Sequence, residues 1–326
     1  MKLVWLLPLL FTGCTTLIPA NETPRAPKKL PDKVLDVLLL PAEDNTVFSR
    51  ELLEDDCSYT AYQCSVTIAD SKPLPFKYLR SKVNPDNKHP LIFIYNILKD
   101  KEERVSHLLA GALTDHGYDC IIVQQEHFLD RKWTRPVLPD PDSPHLSYDE
   151  YNAHLARNIN RIITLWIPKQ KELDGRYGFV GVSLGGIHAV AAAALFPKAD
   201  LTIAIMAGGD NLHLFKESVE NLVIGNRNRL LEQYAKADKK ADQLYNDIAG
   251  LKFTVLKLAR CIKTSKIKLM ITLNDTSVPT SAQWRLYYAL GGPEARLFPC
   301  GHYTMLLYYF TIRDQMVEWM NEAFTD

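Results

Sequence analysis

Apolar residues recur along this chain with two alternating periods. Short continuous apolar runs, suited to strands buried on both faces, fall at residues 91–97, 119–124, 177–182, 201–207, 268–273 and 295–299. Between them lie stretches with helical periodicity. Residues 102–115 place Val105, Leu108, Leu109, Ala112 and Leu113 along one side, and Gly117 ends that helix. Further helices are predicted at 148–169, 187–195, 281–290 and 305–324. Strand and helix in succession imply a mostly parallel central sheet flanked by helices. Ahead of this rhythm, residues 65–70 alternate apolar and polar, with a partner strand at 76–80, which predicts an antiparallel opening hairpin or meander. Residues 34–40 are apolar and fit either a strand or a short helix. No internal repeat is visible.

Two stretches depart from the pattern. Residues 126–147 carry Pro136, Pro139, Pro141 and Pro144 with Phe128 and Trp133 and show no periodic face; loops this long are as a rule functional or disordered. Residues 211–264 are helical in composition, yet stand where the rhythm demands one connecting helix. They are expected to form a helical cap insertion over the carboxyl ends of the strands; the alternative is a surface helix pair remote from any site.

Composition narrows the partners. With 326 residues, 47% hydrophobic and 23% charged, the chain can bury a large core in one α/β domain. Its formal net charge is zero, so no global field draws nucleic acid or an anionic membrane, and no nucleic-acid partner is expected. Lys28-Lys29 and Lys239-Lys240 are solvated surface on this reading. The first 14 residues stand apart: Met1-Lys2 is a minimal positive start, residues 3–11 are apolar, and Thr12-Gly13-Cys14 follows. The run is too short to span a bilayer, which favours a signal peptide. Phe11-Thr12-Gly13-Cys14 resembles the lipobox of bacterial lipoproteins, with Phe11 where leucine is commonest. That resemblance implies lipidation of Cys14 and an exported protein of the cell envelope, and Thr15 after the cysteine leans towards the outer membrane. Residues 15–36, proline-rich, then read as a tether, and 37–326 as the folded domain.

Cys14 aside, five cysteines remain. Cys57 and Cys64 are close enough to staple a turn, and a disulfide between them is expected. Cys120, Cys261 and Cys300 suit buried small hydrophobes. No C-x-x-C or H-E-x-x-H spacing occurs and the nine histidines are scattered, so no metal site is indicated.

The chemistry centres on Gly181-Val182-Ser183-Leu184-Gly185, between the strand at 177–182 and the alanine-rich helix at 187–195. A Gly-x-Ser-x-Gly pentapeptide arises by chance in roughly one chain of this length in ten at average glycine usage; the flanking strand and helix raise it above that. Together they describe a nucleophile elbow, a strained turn that exposes the serine hydroxyl, whose glycines spare neighbouring backbone a collision. A serine needs a base to take its proton and a carboxylate to orient that base. Asp275 directly follows the strand at 268–273, and His302, in Cys300-Gly301-His302-Tyr303, directly follows the strand at 295–299. Both fall at strand carboxyl ends, where open α/β sheets build their sites. Asp210 is the substitute acid and His213 the spare base, whereas His188, inside the elbow helix, reads as packing.

The order Ser183, Asp275, His302, with Asp275-x-x-Val278-Pro279 and Gly301-His302, resembles the α/β-hydrolase superfamily over about residues 60–326. The resemblance implies an α/β-hydrolase fold with Ser183 as nucleophile, His302 as general base then acid, and Asp275 as orienting carboxylate. It implies an oxyanion hole from the Leu184 amide and a second amide in the loop at 95–99, at Ile97 or a neighbour, where the His-Gly pair common in esterases is absent. The expected activity is hydrolysis of a carboxylic ester through an acyl-enzyme, without cofactor, with Phe128, Trp133, Phe215 and Tyr303 as candidate lining of an acyl pocket. Thioesterase or acyltransferase chemistry would use the same parts; a catalytically silent binding module is the contrasting reading.

Overall fold

The computed structural model describes residues 15–20, 27–30, 38, 46–68, 73–95, 103–123, 146–251 and 253–324. Its strands are β1 (Thr16–Ile18), β2 (Thr46–Asp55), β3 (Tyr59–Ile68), β4 (Leu74–Ser81), β5 (His89–Tyr95), β6 (Asp119–Val123), β7 (Leu173–Val182), β8 (Thr202–Ile205), β9 (Ile267–Thr272) and β10 (Ala295–Phe298). They form one ten-stranded sheet in the order β1-β10-β9-β8-β7-β5-β6-β4-β3-β2. Strands β5 to β10 run parallel to one another, and β2, β3 and β4 precede them as an antiparallel meander joined to β6. The described helices are α1 (Glu103–Thr114), α2 (Leu146–Arg161), α3 (Leu184–Leu195), α4 (Asn211–Glu217), α5 (Asn221–Lys236), α6 (Ala241–Gly250), α7 (Val255–Ala259), α8 (Thr280–Ala289) and α9 (Tyr309–Phe324).

The two-residue period of a strand decides which layer each side chain joins. Along β5, Leu91, Phe93 and Tyr95 enter the core beneath α3, whereas Ile92 and Ile94 enter the core shared with Leu109 and Leu113 of α1 and Met316, Trp319 and Met320 of α9. Every residue of β5 and β6 is buried, which is why their sequences run apolar without alternation. Residues 211–264 fold largely as α4–α7, and Phe215, Leu230, Tyr234, Leu244, Ile248 and Leu251 give this insertion a small core of its own.

Several expectations are corrected. The predicted opening hairpin gains a third strand, β2, which its sequence conceals: β2 is an edge strand exposed along most of its length, so it carries charge where a buried strand would carry an apolar alternation. The helix expected over 148–169 is α2 to Arg161, a π-helical turn at Ile162–Trp166 and a 3₁₀ turn at Ile167–Lys169. Pro168 has no N–H to continue an α-helix, and Trp166 is buried edge-on against Phe76 and Tyr78. Cys57 and Cys64 are both free thiols. Cys57 is exposed in the β2–β3 turn and Cys64 is buried five residues into β3; an extended strand rises about 3.3 Å per residue, which holds the pair far beyond the roughly 7 Å a disulfide can bridge. The tether reading of 15–36 also fails for its described parts. Residues 16–18 are β1, paired antiparallel with β10. The Lys28 N–H donates to the Arg260 carbonyl at 2.8 Å, and Leu30 is buried in the core. The apolar stretch at 34–40, apart from residue 38, and the proline-rich stretch at 126–145 lie outside the described residues.

A buried polar cluster locks the meander to the parallel sheet. Asp119 at the start of β6 accepts from the Ser81 N–H at 2.9 Å, from the Tyr78 hydroxyl, and from His89 Nδ1 at 2.9 Å. The bond to Asp119 raises the His89 pKa above its ordinary 6.5, against the opposing effect of burial, while burial and then Asp119 push the Tyr78 hydroxyl well up. A raised histidine adds stability that is fully present below its unfolded pKa and is lost as pH climbs through its folded value. Asp119→Asn is therefore expected to cost about 3–5 kcal/mol near pH 6. Urea unfolding should show the gap to the parent narrowing as pH rises above 6.5; a gap independent of pH would remove His89 from the account.

Candidate active site

Ser183 sits between β7 and α3 with φ 56° and ψ −118°. A non-glycine residue in that region stores about 1–3 kcal/mol, and tight surroundings hold it there. The Ser183 N–H donates to the Ile205 carbonyl of β8 at 2.7 Å, and the Ser183 carbonyl accepts from the Ile187 N–H at 3.1 Å. A Cβ on Gly181 would fall onto the carbonyl of Gly185, and one on Gly185 onto the carbonyl of Tyr95. The elbow is thus pressed against the end of β5, and no side chain fits between. Leu184 opens α3, where first-turn N–H groups have no partner within the helix and favour negative charge. Ile97 lies outside the described residues; Tyr95, the last described residue of β5, brings that exit beside the elbow.

Asp275 and His302 come together from loops following β9 and β10. His302 Nδ1 lies 2.8 Å from Asp275 Oδ2. Asp275 is buried, and donors saturate it: Oδ1 accepts from the N–H groups of Ser277 and Val278, each at 2.9 Å, and Oδ2 from Thr272 Oγ1 at 3.0 Å and Gln283 Nε2 at 3.2 Å. A neutral imidazole that donates from Nδ1 to this carboxylate keeps the Nε2 lone pair available. The Asn274 N–H donates to the Cys300 carbonyl at 3.0 Å, tying the two loops together at their base. The geometry supplies a carboxylate-oriented histidine on the same sheet edge as a strained serine.

Comparison with known proteins bears on the fold. No family model and no curated protein matches the chain. Solved structures do match. An acetyl xylan esterase from Paenibacillus sp. R4 is 19% identical, over 88% of this chain and 92% of that one, with a TM-score of 0.66. Acetyl Xylan Esterase 1 from Thermoanaerobacterium sp. JW/SL YS485 is 15% identical over the same shares, with a TM-score of 0.60. An acylaminoacyl peptidase from Pyrococcus horikoshii is 16% identical, over 81% of this chain and 42% of that one, with a TM-score of 0.54. This chain has the α/β-hydrolase fold.

Within the α/β-hydrolase fold the substitute candidates are engaged elsewhere. Asp210 caps α4 through the His213 N–H at 3.0 Å and pairs with Arg285 at 2.6 Å, and His213 Nε2 lies 2.6 Å from Ser281 Oγ. His188 is buried in α3, and burial lowers its pKa to about 4, so it stays neutral. Burial lifts the Cys300 thiol to about 11, which leaves it unreactive near neutral pH. Phe215 is not acyl-pocket lining: it packs in the insertion's own core beside Tyr245. Tyr303 is exposed, its hydroxyl donating to Glu220 Oε2 at 2.6 Å; Phe128 and Trp133 lie outside the described residues. Among the described residues no group of three or more His, Cys, Asp or Glu side chains is placed to hold a metal.

Sequence reasoning missed Gln283. This residue is buried on α8; its Nε2 lies within hydrogen-bond distance of Asp275 Oδ2, Thr272 Oγ1 and the Val278 carbonyl, and its Oε1 accepts from the Thr272 N–H at 3.1 Å. The signal was present, since a glutamine stands on the stripe of α8 that also buries Ala282 and Leu286. It missed Glu220 as well, which accepts from Ser277 Oγ at 3.1 Å and draws the insertion onto the loop carrying Asp275. Replacing Gln283 with leucine is expected to lower stability in urea unfolding by about 1–3 kcal/mol, because a buried N–H and a carboxylate lose partners. Asp210→Ala should cost about 1 kcal/mol, as a lost helix cap does. Equal losses would contradict the ranking.

Proposed function

We propose that this protein is a serine hydrolase that cleaves a carboxylic ester through an acyl-enzyme, with Ser183 as nucleophile, His302 as base and Asp275 as orienting carboxylate. The observation that carries it is the 2.8 Å contact between His302 Nδ1 and Asp275 Oδ2, on the edge where Ser183 holds its strained turn. Esterases among the structures sharing the fold support an ester substrate.

In this reading the Ser183 hydroxyl attacks the ester carbonyl while His302 Nε2 takes its proton. Asp275 stays ionised and steadies the imidazolium. The oxyanion is held by the Leu184 N–H and an amide of the loop after β5, with Ile97 or a neighbour as donor, donors best aimed at where charge develops. His302 then protonates the leaving alcohol, and water repeats the attack to release the acid. We further propose that the leader directs export and that Cys14 is lipidated, placing the enzyme in the cell envelope as an outer-membrane lipoprotein.

A fluorophosphonate probe is expected to label the parent and not Ser183→Ala. For hydrolysis of p-nitrophenyl acetate, His302→Ala and Asp275→Asn should each lower kcat by about 10²–10⁴-fold with little change in KM. Probe labelling that survives Ser183→Ala, or a folded parent that takes no label, would overturn the proposal in favour of a silent fold that binds.

A further inference from the structure

The register of β1 determines where the amino terminus leaves the sheet. Thr16 pairs with Leu297 and Ile18 with Ala295, antiparallel, so the chain preceding Thr16 departs at the carboxyl end of β10. That edge holds Ser183, Asp275 and His302. One residue, Thr15, separates Cys14 from Thr16, so the two lie at most about 7 Å apart along an extended chain. A membrane anchor at that cysteine therefore acts next to the catalytic edge.

The same edge carries a group of exposed apolar side chains among polar ones such as Asn274, Thr276 and Thr304. Val219, Leu273, Tyr303, Leu306 and Leu307 are exposed large hydrophobic residues, and all lie in loops or turns at or against the carboxyl ends of the strands. The 3₁₀ turn at Tyr303–Tyr308 repeats every three residues. It buries Met305 and Tyr308 and presents Tyr303, 68% exposed, and Leu306, 56% exposed, to solvent. The Leu273 N–H donates to the Phe298 carbonyl at 2.9 Å, so Leu273 lies beside β10. Two strand spacings, about 10 Å, separate β9 from β1. The carboxylate of Glu220 on this rim accepts from Tyr303 and Ser277. The opposite edge carries ion pairs and one exposed aromatic side chain, Tyr288 near the end of α8. Lys268 pairs with Glu294 and Arg176 with Asp174, and Lys266 caps the carbonyls of Pro197 and Ala199, all at strand amino ends.

We infer that the catalytic edge rests on a lipid bilayer, with Tyr303, Leu306 and Leu307 dipping into it beside the amino-terminal anchor. The inference rests on the proposed anchoring at Cys14, and large apolar side chains exposed together on one edge mark interaction sites. Anchoring at residue 14 and burial of the 3₁₀ turn reinforce each other, since the first holds the second within reach of the membrane.

The test uses the full chain reconstituted in phosphatidylethanolamine–phosphatidylglycerol vesicles with brominated acyl chains. Tryptophan is introduced as Leu306→Trp or, at the opposite edge on the exposed end of α8, as Tyr288→Trp. Emission is read as the difference from the unsubstituted chain. Side chains seated about 5–10 Å into the headgroup boundary lie within quenching range, so the residue at 306 is expected to lose about half its emission and the residue at 288 none. Vesicle-bound protein with both positions unquenched, or both quenched alike, overturns the orientation and leaves the anchoring standing. Protein that fails to float with vesicles, as Cys14→Ser is expected to fail, overturns both. A detergent-solubilised dimer that Leu306→Asp with Leu307→Asp converts to monomer would assign the apolar edge to a second copy of the chain and overturn the inference.

Discussion

The arrangement of this molecule depends on the parallel pairing of β5 to β10 with both faces covered. A parallel pair requires the chain to cross back over one face before the next strand begins, so helices screen the sheet and strand carboxyl ends collect along one edge. That edge is where the backbone is free of sheet pairing and side chains from distant parts of the sequence meet. Asp275 and His302 are 27 residues apart in sequence and in hydrogen-bond contact because β9 and β10 are neighbours.

Around that constraint the local chemistry divides between strain and satisfaction. Ser183 occupies a costly backbone conformation, held by bonds from β8 and by glycines that let the elbow close against β5. Asp275 is the opposite case: a buried carboxylate with Thr272, Ser277, Val278, Gln283 and His302 all directed at it. An acceptor so fully supplied has one available position, and that position aims the imidazole. The strain and the preorganisation sit two strands apart on a sheet stiff enough to keep them in register. The exposed apolar turn after His302 belongs to the same edge, because the loop that delivers the histidine must turn back into α9 and does so with Met305 and Tyr308 inward and Tyr303 and Leu306 outward.

Much of this was legible in the linear pattern. Strands buried on both faces betray themselves as unbroken apolar runs, so the parallel sheet and the ends of β5 to β10 could be placed, and Ser183, Asp275 and His302 with them. Strand β2 was hidden because an exposed edge strand has no apolar alternation to display. Gln283 was passed over because a polar residue on an apolar stripe gains its meaning only from the carboxylate it meets. The expected Cys57–Cys64 bridge failed because closeness in sequence becomes distance once the intervening residues extend as a strand.

Local periodicity and the sterics of glycine were enough to place the alternation of strand and helix, the elbow turn and the strand ends at which Asp275 and His302 fall. That Asp275 rather than Asp210 meets His302, that Phe215 serves the insertion's own core, and that residues 16–18 close the sheet instead of tethering it emerged from the fold. Each of those outcomes is a pairing between groups far apart along the chain, and such pairings are set by which strand lies beside which, a property no local window of residues contains.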